Sequence, residues 1–177
     1  RIAFRDITNQ TNTRTTIASL VPPAVLINSA PVLVLRSGTA ATEAFVLGVL
    51  CSIPFDWYSR RYVELHMNFH IFNWLPVPHF DLDSATTSRV VEIAGRLAAV
   101  DERYAEWAAE VGVQVGSVKR GAEKDDLIAE LDALVSLLYG LTDDQVKHVF
   151  STFHRGWRYE PRLELVLKHY RAWKVKA

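Results

Sequence analysis

The side chains in this chain that could do chemistry are polar and cationic groups of the kind that contact nucleic acid. Between Arg5 and Thr15 the sequence places two arginines, two asparagines, one glutamine and four threonines in a predicted β-hairpin. Arginine pairs with guanine and asparagine or glutamine with adenine in the major groove, while threonine and arginine also contact phosphates. The same residue types are favoured in turns for local backbone hydrogen bonds, so a purely structural turn is the alternative.

Two further segments combine basic residues with aromatic rings. One runs from Tyr58 through Arg60-Arg61 to Asn68, and the other from His154 to Arg162 contains Trp157 and Tyr159. Cations interleaved with rings suit phosphate and stacking contacts, although a basic C-terminal helix is also typical of a solvated face. The predicted DNA-contacting residues of the three segments are Arg5, Asn9, Asn12, Arg14, Thr15, Arg60, Arg61, Arg155 and Arg158.

The elements that must position these segments change in character near residue 80. Before it, β-branched and alternating stretches predict short strands, and an almost wholly apolar stretch predicts a buried helix that Thr42 caps and that runs to about Tyr58. An aromatic stretch over residues 69–75 ends at Pro76-Val77-Pro78. The predicted strands cover residues 2–7, 15–21, 24–28, 31–35 and 62–65.

After residue 80 the pattern is helical. Apolar residues from Val90 to Val111 recur at alternating spacings of three and four, which predicts one helix over three heptads, and Leu127 to Leu138 repeats that spacing. We expect these two helices to form an antiparallel hairpin joined by the loop over residues 112–121. Gly140 is placed to end a helix, Thr142 and Gln145 form a capping box that opens the next one, and Pro161 begins a last helix.

The expected fold class is therefore α+β. Residues 1–80 would form a small β/α subdomain, and residues 81–177 the helical hairpin and the C-terminal helices.

The formal net charge of zero hides an uneven distribution. The net charge is +2 over residues 1–80, −6 over 81–140 and +4 over 141–177, and all six lysines lie at or after Lys119. An arginine-only N-terminal part suits bidentate contacts to phosphate or guanine. Compositional drift explains the same split equally well.

No catalytic constellation is recognisable. The six histidines lack further ligands at metal spacing, so we expect them to be structural or surface residues, and Cys51 is expected to be a buried apolar residue. The single cysteine fits a reducing, cytoplasmic environment, and no run approaches the roughly 18 apolar residues of a membrane span.

Several stretches occur in an order that resembles a known family. They are R-I-A-F-R-D-I-T from Arg1, T-N-T-R-T from Thr11, Pro22-Pro23, N-F-H-I-F-N-W-L-P-V-P from Asn68, and the stretch from Leu131 to Thr142. Together they resemble the C-terminal target-recognition region of restriction–modification enzymes with an N6-adenine DNA methyltransferase core, including single-chain type IIG enzymes. The resemblance implies that residues 1–80 are the back half of an α/β target-recognition domain and that residues 81–177 are its helical spacer.

The resemblance implies a parent protein that binds double-stranded DNA and methylates adenine with S-adenosylmethionine, and that is a candidate for Mg²⁺-dependent cleavage. The family's N-P-P-[YF] tetrad and a P-D…[DE]-x-K nuclease signature are absent from this sequence, so catalysis and cofactor binding are expected upstream of Arg1. The expected partners are duplex DNA and the methyltransferase part of the same polypeptide. The alternative is a helical module that docks the methyltransferase domain or a partner subunit without reading bases.

Overall fold

The computed structural model describes residues 1–22 and 27–176. A small antiparallel sheet has the order β2-β1-β3, and Ala3 of the central strand faces Ser19 on one side and Val32 on the other. The predicted strand over residues 2–7 is shorter than expected, because after Phe4 only Ile7 forms a bridge, to His66. Residues 24–26 of a further predicted strand lie outside the described residues, and residues 62–65 form no strand. The strands are β1 (Ile2–Phe4), β2 (Ala18–Leu20) and β3 (Val32–Leu33).

The predicted apolar helix is buried, as expected, but it is two helices. It divides into α1 (Ala40–Cys51) and α2 (Ile53–Ser59), which meet at a bend of 65°. Ser52 ends the first helix and caps the second, because its side chain accepts a hydrogen bond from the Phe55 nitrogen, and a proline follows at the start of α2.

No single helix among the described residues is long and apolar enough to cross a membrane. The bent pair of α1 and α2 passes that test by length and composition only.

The remaining helices confirm the helical character of the second half. Salt bridges from Arg89 to Glu130 and from Arg96 to Glu123 show that two of them, α4 and α6, pack antiparallel. The helices are α3 (Phe69–Phe72), α4 (Ala85–Ala98), α5 (Ala105–Val111), α6 (Ala122–Leu138), α7 (Asp143–Ser151) and α8 (Glu160–Lys174).

The prediction of one helix from Val90 to Val111 is wrong. The chain leaves α4 after Ala98, Val100 is 58% exposed, and the Asp101 side chain accepts from the Arg103 nitrogen to start a short 3₁₀ turn. The chain then folds α5 back, so that Val111 comes close to Gly95. A Cβ on Gly95 would lie 2.8 Å from the Val111 side chain, so this close approach depends on glycine.

The core connects the two halves of the sequence. One apolar cluster joins the sheet, α1, α4, α5 and α6, and Gly48 of α1 lets that helix approach Val90 and Ala94 of α4 closely. A second cluster packs Ile53 with residues of α6, α7 and α8. At the end of α6, Gly140 adopts the expected left-handed conformation, and the capping box of Thr142 and Gln145 opens α7.

Candidate nucleic-acid interface

A buried carboxylate, Asp56 of α2, organises the predicted hairpin. Its oxygens accept hydrogen bonds from the backbone nitrogens of Thr15 and Thr16, at 3.1 Å each. Arg14 Nε lies 2.7 Å from one oxygen and Arg60 Nη2 lies 3.6 Å from the other. Burial raises the pKa of Asp56, and the two guanidinium groups and the backbone donors oppose that rise.

Arg60 ties together three segments that are far apart in the sequence. It is 6% exposed, and its Nη1 donates to the Phe153 carbonyl while its guanidinium carbon lies 3.9 Å from the centre of the Phe153 ring. Its Nη2 lies 3.5 Å from the carbonyls of both Asn12 and Thr13. Burial lowers the pKa of Arg60, and Asp56 counters that effect.

Two more contacts close the same assembly. Trp57 Nε1 donates to Thr152 Oγ1 at 2.9 Å, and His154 Nε2 lies 3.1 Å from the Thr11 carbonyl. We call the assembly of residues 8–16, 56–62 and 152–155 the arginine junction. All three segments that the sequence analysis singled out therefore meet in one place.

The polar side chains of the hairpin largely bond to the hairpin itself. Asn9 Oδ1 accepts from the backbone nitrogens of Thr11 and Asn12, Asn12 Nδ2 donates to Thr8 Oγ1, and Thr15 Oγ1 donates to the Asn9 carbonyl. These bonds form the local turn that the sequence analysis kept as an alternative. They fix the backbone that carries Arg14, whose Nη2 also donates to the Cys51 carbonyl at 2.8 Å.

The other four predicted arginines point to solvent. Arg61, exposed, stacks its guanidinium 4.2 Å from the Trp57 ring, and Arg155 is exposed beside His154, so both lie on the rim of the arginine junction. Arg5 and Arg158 are exposed elsewhere. Across residues 1–22 and 27–176, none of these four guanidinium groups makes a salt bridge.

Arg5 and Arg158 lie outside the arginine junction. Arg5 follows β1, and its backbone nitrogen donates to the Ile17 carbonyl. Arg158 lines a groove between α6 and α8 together with Asp125 and Arg162.

Sequence reasoning missed the two buried aspartates that bind arginine. Besides Asp56, Asp132 of α6 is fully buried, binds Arg162 Nη2 at 2.6 Å and accepts from the Ile53 nitrogen at 2.8 Å. The available signal was an isolated acid inside an apolar stretch, because such a group is rarely buried without a cationic partner.

The described residues include no cluster of three or more metal-ligating side chains. Cys51 is half-buried, its Sγ lies 3.5 Å from the Ala18 carbonyl, and burial raises its pKa, which disfavours a reactive thiolate. No protein-family model, curated protein or solved structure matches this chain.

Proposed function

We propose that this chain is a DNA-contacting target-recognition part of an adenine-specific DNA methyltransferase or restriction–modification enzyme, and that it positions the enzyme on duplex DNA. The observation that carries the proposal is the arginine junction. Three segments rich in the residue types that contact nucleic acid meet around one buried arginine, Arg60. Each of these segments is separated from the next by more than forty residues in the sequence.

The junction divides its arginines into two groups. Arg14 and Arg60 bind Asp56 and backbone carbonyls, so they hold the loops in place. Arg61 and Arg155 extend from the rim without a carboxylate partner in the described part of the chain. Exposed arginines at the edge of a tightly bonded assembly suit contacts with phosphates, and such contacts position a protein on DNA.

In this proposal, the methyltransferase part of the polypeptide carries out the chemical steps on DNA. The methyltransferase part of the polypeptide would bind S-adenosylmethionine, and Mg²⁺ in a parent that also cleaves, as the family resemblance implies. This chain would dock onto that part and onto DNA.

The competing proposal, a helical hairpin that docks a protein partner, has less support. The apolar sides of α4 and α6 are already covered within the chain, since α4 packs on α1 and α6 packs on α8. A docking surface on the hairpin would have to use its charged flanks.

The proposal is tested by fluorescence anisotropy with a labelled mixed-sequence duplex. We expect the double variant Arg61→Gln, Arg155→Gln to weaken binding on the order of tenfold, because two phosphate contacts are lost. The control is Arg120→Gln, since Arg120 is also exposed and makes no salt bridge among the described residues but lies in the loop after α5. Equal affinity for all three proteins, or no duplex binding by the wild type, contradicts the proposal.

A further inference from the structure

A cleft lined by aromatic rings opens beside the arginine junction. Its volume is about 340 Å³, within the range of sites that hold small organic ligands. Four of its six lining residues carry rings, and none is acidic. The lining residues are Tyr58, Tyr62, His70, Ile71, Trp74 and Leu75.

The first wall is the end of α2 and the turn that follows it. Tyr58 and Tyr62 are four residues apart and lie side by side, with ring centres 5.3 Å apart and planes inclined by 48°. The Tyr62 hydroxyl donates to the Tyr58 hydroxyl at 3.1 Å, and this bond raises the pKa of Tyr58. The Tyr58 hydroxyl therefore keeps its proton at neutral pH. Arg61 lies between these two tyrosines in the sequence, but it does not line the cleft, since its guanidinium stacks 4.2 Å from the Trp57 ring.

The second wall is α3 with the turn after it, and the sheet holds it in place. Phe72 stacks on Phe4 of β1 at 4.6 Å between ring centres, and Phe69 meets the same ring edge-on at 5.6 Å. Asn68 caps the helix by accepting from the Ile71 nitrogen at 3.0 Å. One side of α3 is thus anchored to the core, and its other side lines the cleft.

Trp74 is the unusual residue of this wall, because it is 81% exposed. Its backbone nitrogen donates to the Ile71 carbonyl, and Tyr139 fixes the following backbone by donating to the Pro76 carbonyl at 2.7 Å. An indole held on a fixed turn and left in water offers a flat apolar face to a ligand.

We infer that this cleft binds one unstacked nucleobase of the DNA that the arginine junction contacts. Flat rings on opposite walls match the π-faces of a base, and the hydroxyls and His70 supply hydrogen-bonding groups for its edge. No residue that lines the cleft carries a carboxylate, which suits a ligand attached to a phosphate backbone. This inference rests on the proposed function.

The test uses the full chain and two duplexes that differ at one position. One carries a single unpaired 2-aminopurine, and the other carries the same base fully paired. We expect the wild type to bind the unpaired duplex more tightly and to change the 2-aminopurine fluorescence on binding, because stacking alters its emission.

The variants separate the cleft from the arginine junction. Trp74→Ala should lose the preference for the unpaired duplex, on the order of tenfold, and keep its affinity for the paired one. Leu82→Ala, a change at an exposed apolar residue that does not line the cleft, should keep both. Arg61→Gln with Arg155→Gln should weaken both duplexes alike.

The outcomes are distinguishable. If the wild type binds both duplexes equally and the fluorescence does not change, the cleft binds no base, and the inference is overturned while the proposed function stands. Loss of affinity for the paired duplex in Trp74→Ala also overturns it, because Trp74 would then act on duplex DNA in general. If neither duplex is bound, both the inference and the proposed function fail.

Discussion

Replacing Asp56 by alanine removes the charge on which the arginine junction is built. Asp56 is fully buried and is the common acceptor for the Thr15 and Thr16 nitrogens and for Arg14 and Arg60. Arg14 retains a side chain that is 28% exposed and can regain water, but Arg60 at 7% cannot. The variant therefore leaves one buried guanidinium without its counter-charge and two buried backbone donors without their acceptor.

Removal of one partner of a buried ion pair typically costs about 3–5 kcal/mol, and we expect Asp56→Ala to fall in that range. For a chain of this size, that loss corresponds to a fall in Tm of roughly 6–20 °C. Asp56→Asn keeps the shape and one acceptor oxygen, so its loss should be smaller than that of alanine. Asp144→Ala is the control, because Asp144 is 91% exposed and, within the described part of the chain, pairs only with Lys147 at the surface.

The assay is chemical denaturation followed by circular dichroism, with thermal melts of the same four proteins. The control should unfold like the wild type. A loss below about 1 kcal/mol for Asp56→Ala would refute the reasoning, because the carboxylate would then not be the anchor of the junction.

Two further predictions concern residues of helices α6 and α1. Burial raises the pKa of Glu130, but hydrogen bonds led by Arg89 outweigh burial and bring the pKa below its ordinary value of 4.5. The stabilisation that ionised Glu130 provides is therefore fully present above pH 4.5 and is lost as the pH falls through the lower pKa of the folded state. The free energy of unfolding, measured by denaturation between about pH 3 and 7, should depend less on pH in Glu130→Gln than in the wild type. Glu92→Gln, at the exposed partner of the same arginine, should follow the wild type. Equal pH dependence in all three proteins would contradict this prediction. Gly48→Leu should destabilise the fold by about 1–3 kcal/mol or more in the same assay, because even a Cβ there lies 3.0 Å from Val90, and an unchanged midpoint would show that α1 and α4 can move apart.

The sequence predicted the elements whose signals are local. The turn composition near Asn9, the capping box at Thr142 and the helix-ending Gly140 all describe interactions within a few residues, and the structure contains each of them. The apolar stretch around Phe45 was also correctly expected to be buried, because a helix that is apolar on all sides has no face for solvent.

The errors and omissions arose where distant contacts decide the outcome. The heptad pattern continues past Ala98, although the chain turns there and Val111 packs against Gly95. The spacing of apolar residues is the same for one straight helix and for two helices that fold back on each other, so the pattern cannot distinguish them. The role of Asp56 was missed because Arg14 and the Thr15 and Thr16 nitrogens, which bind its carboxylate, belong to a distant segment of the chain. The sequence identified the three basic segments but not which arginines hold the fold and which face solvent.

The salt dependence of duplex binding tests the central claim most directly, namely that Arg61 and Arg155 contact DNA while Arg14 and Arg60 hold the loops. Each phosphate contact contributes about 0.9 to the slope of log K against log salt, so Arg61→Gln with Arg155→Gln should lower its magnitude by about 1.8 between roughly 50 and 200 mM salt. The control Arg120→Gln should keep the wild-type slope. A slope that the double variant leaves unchanged would contradict the assignment of these two arginines to DNA.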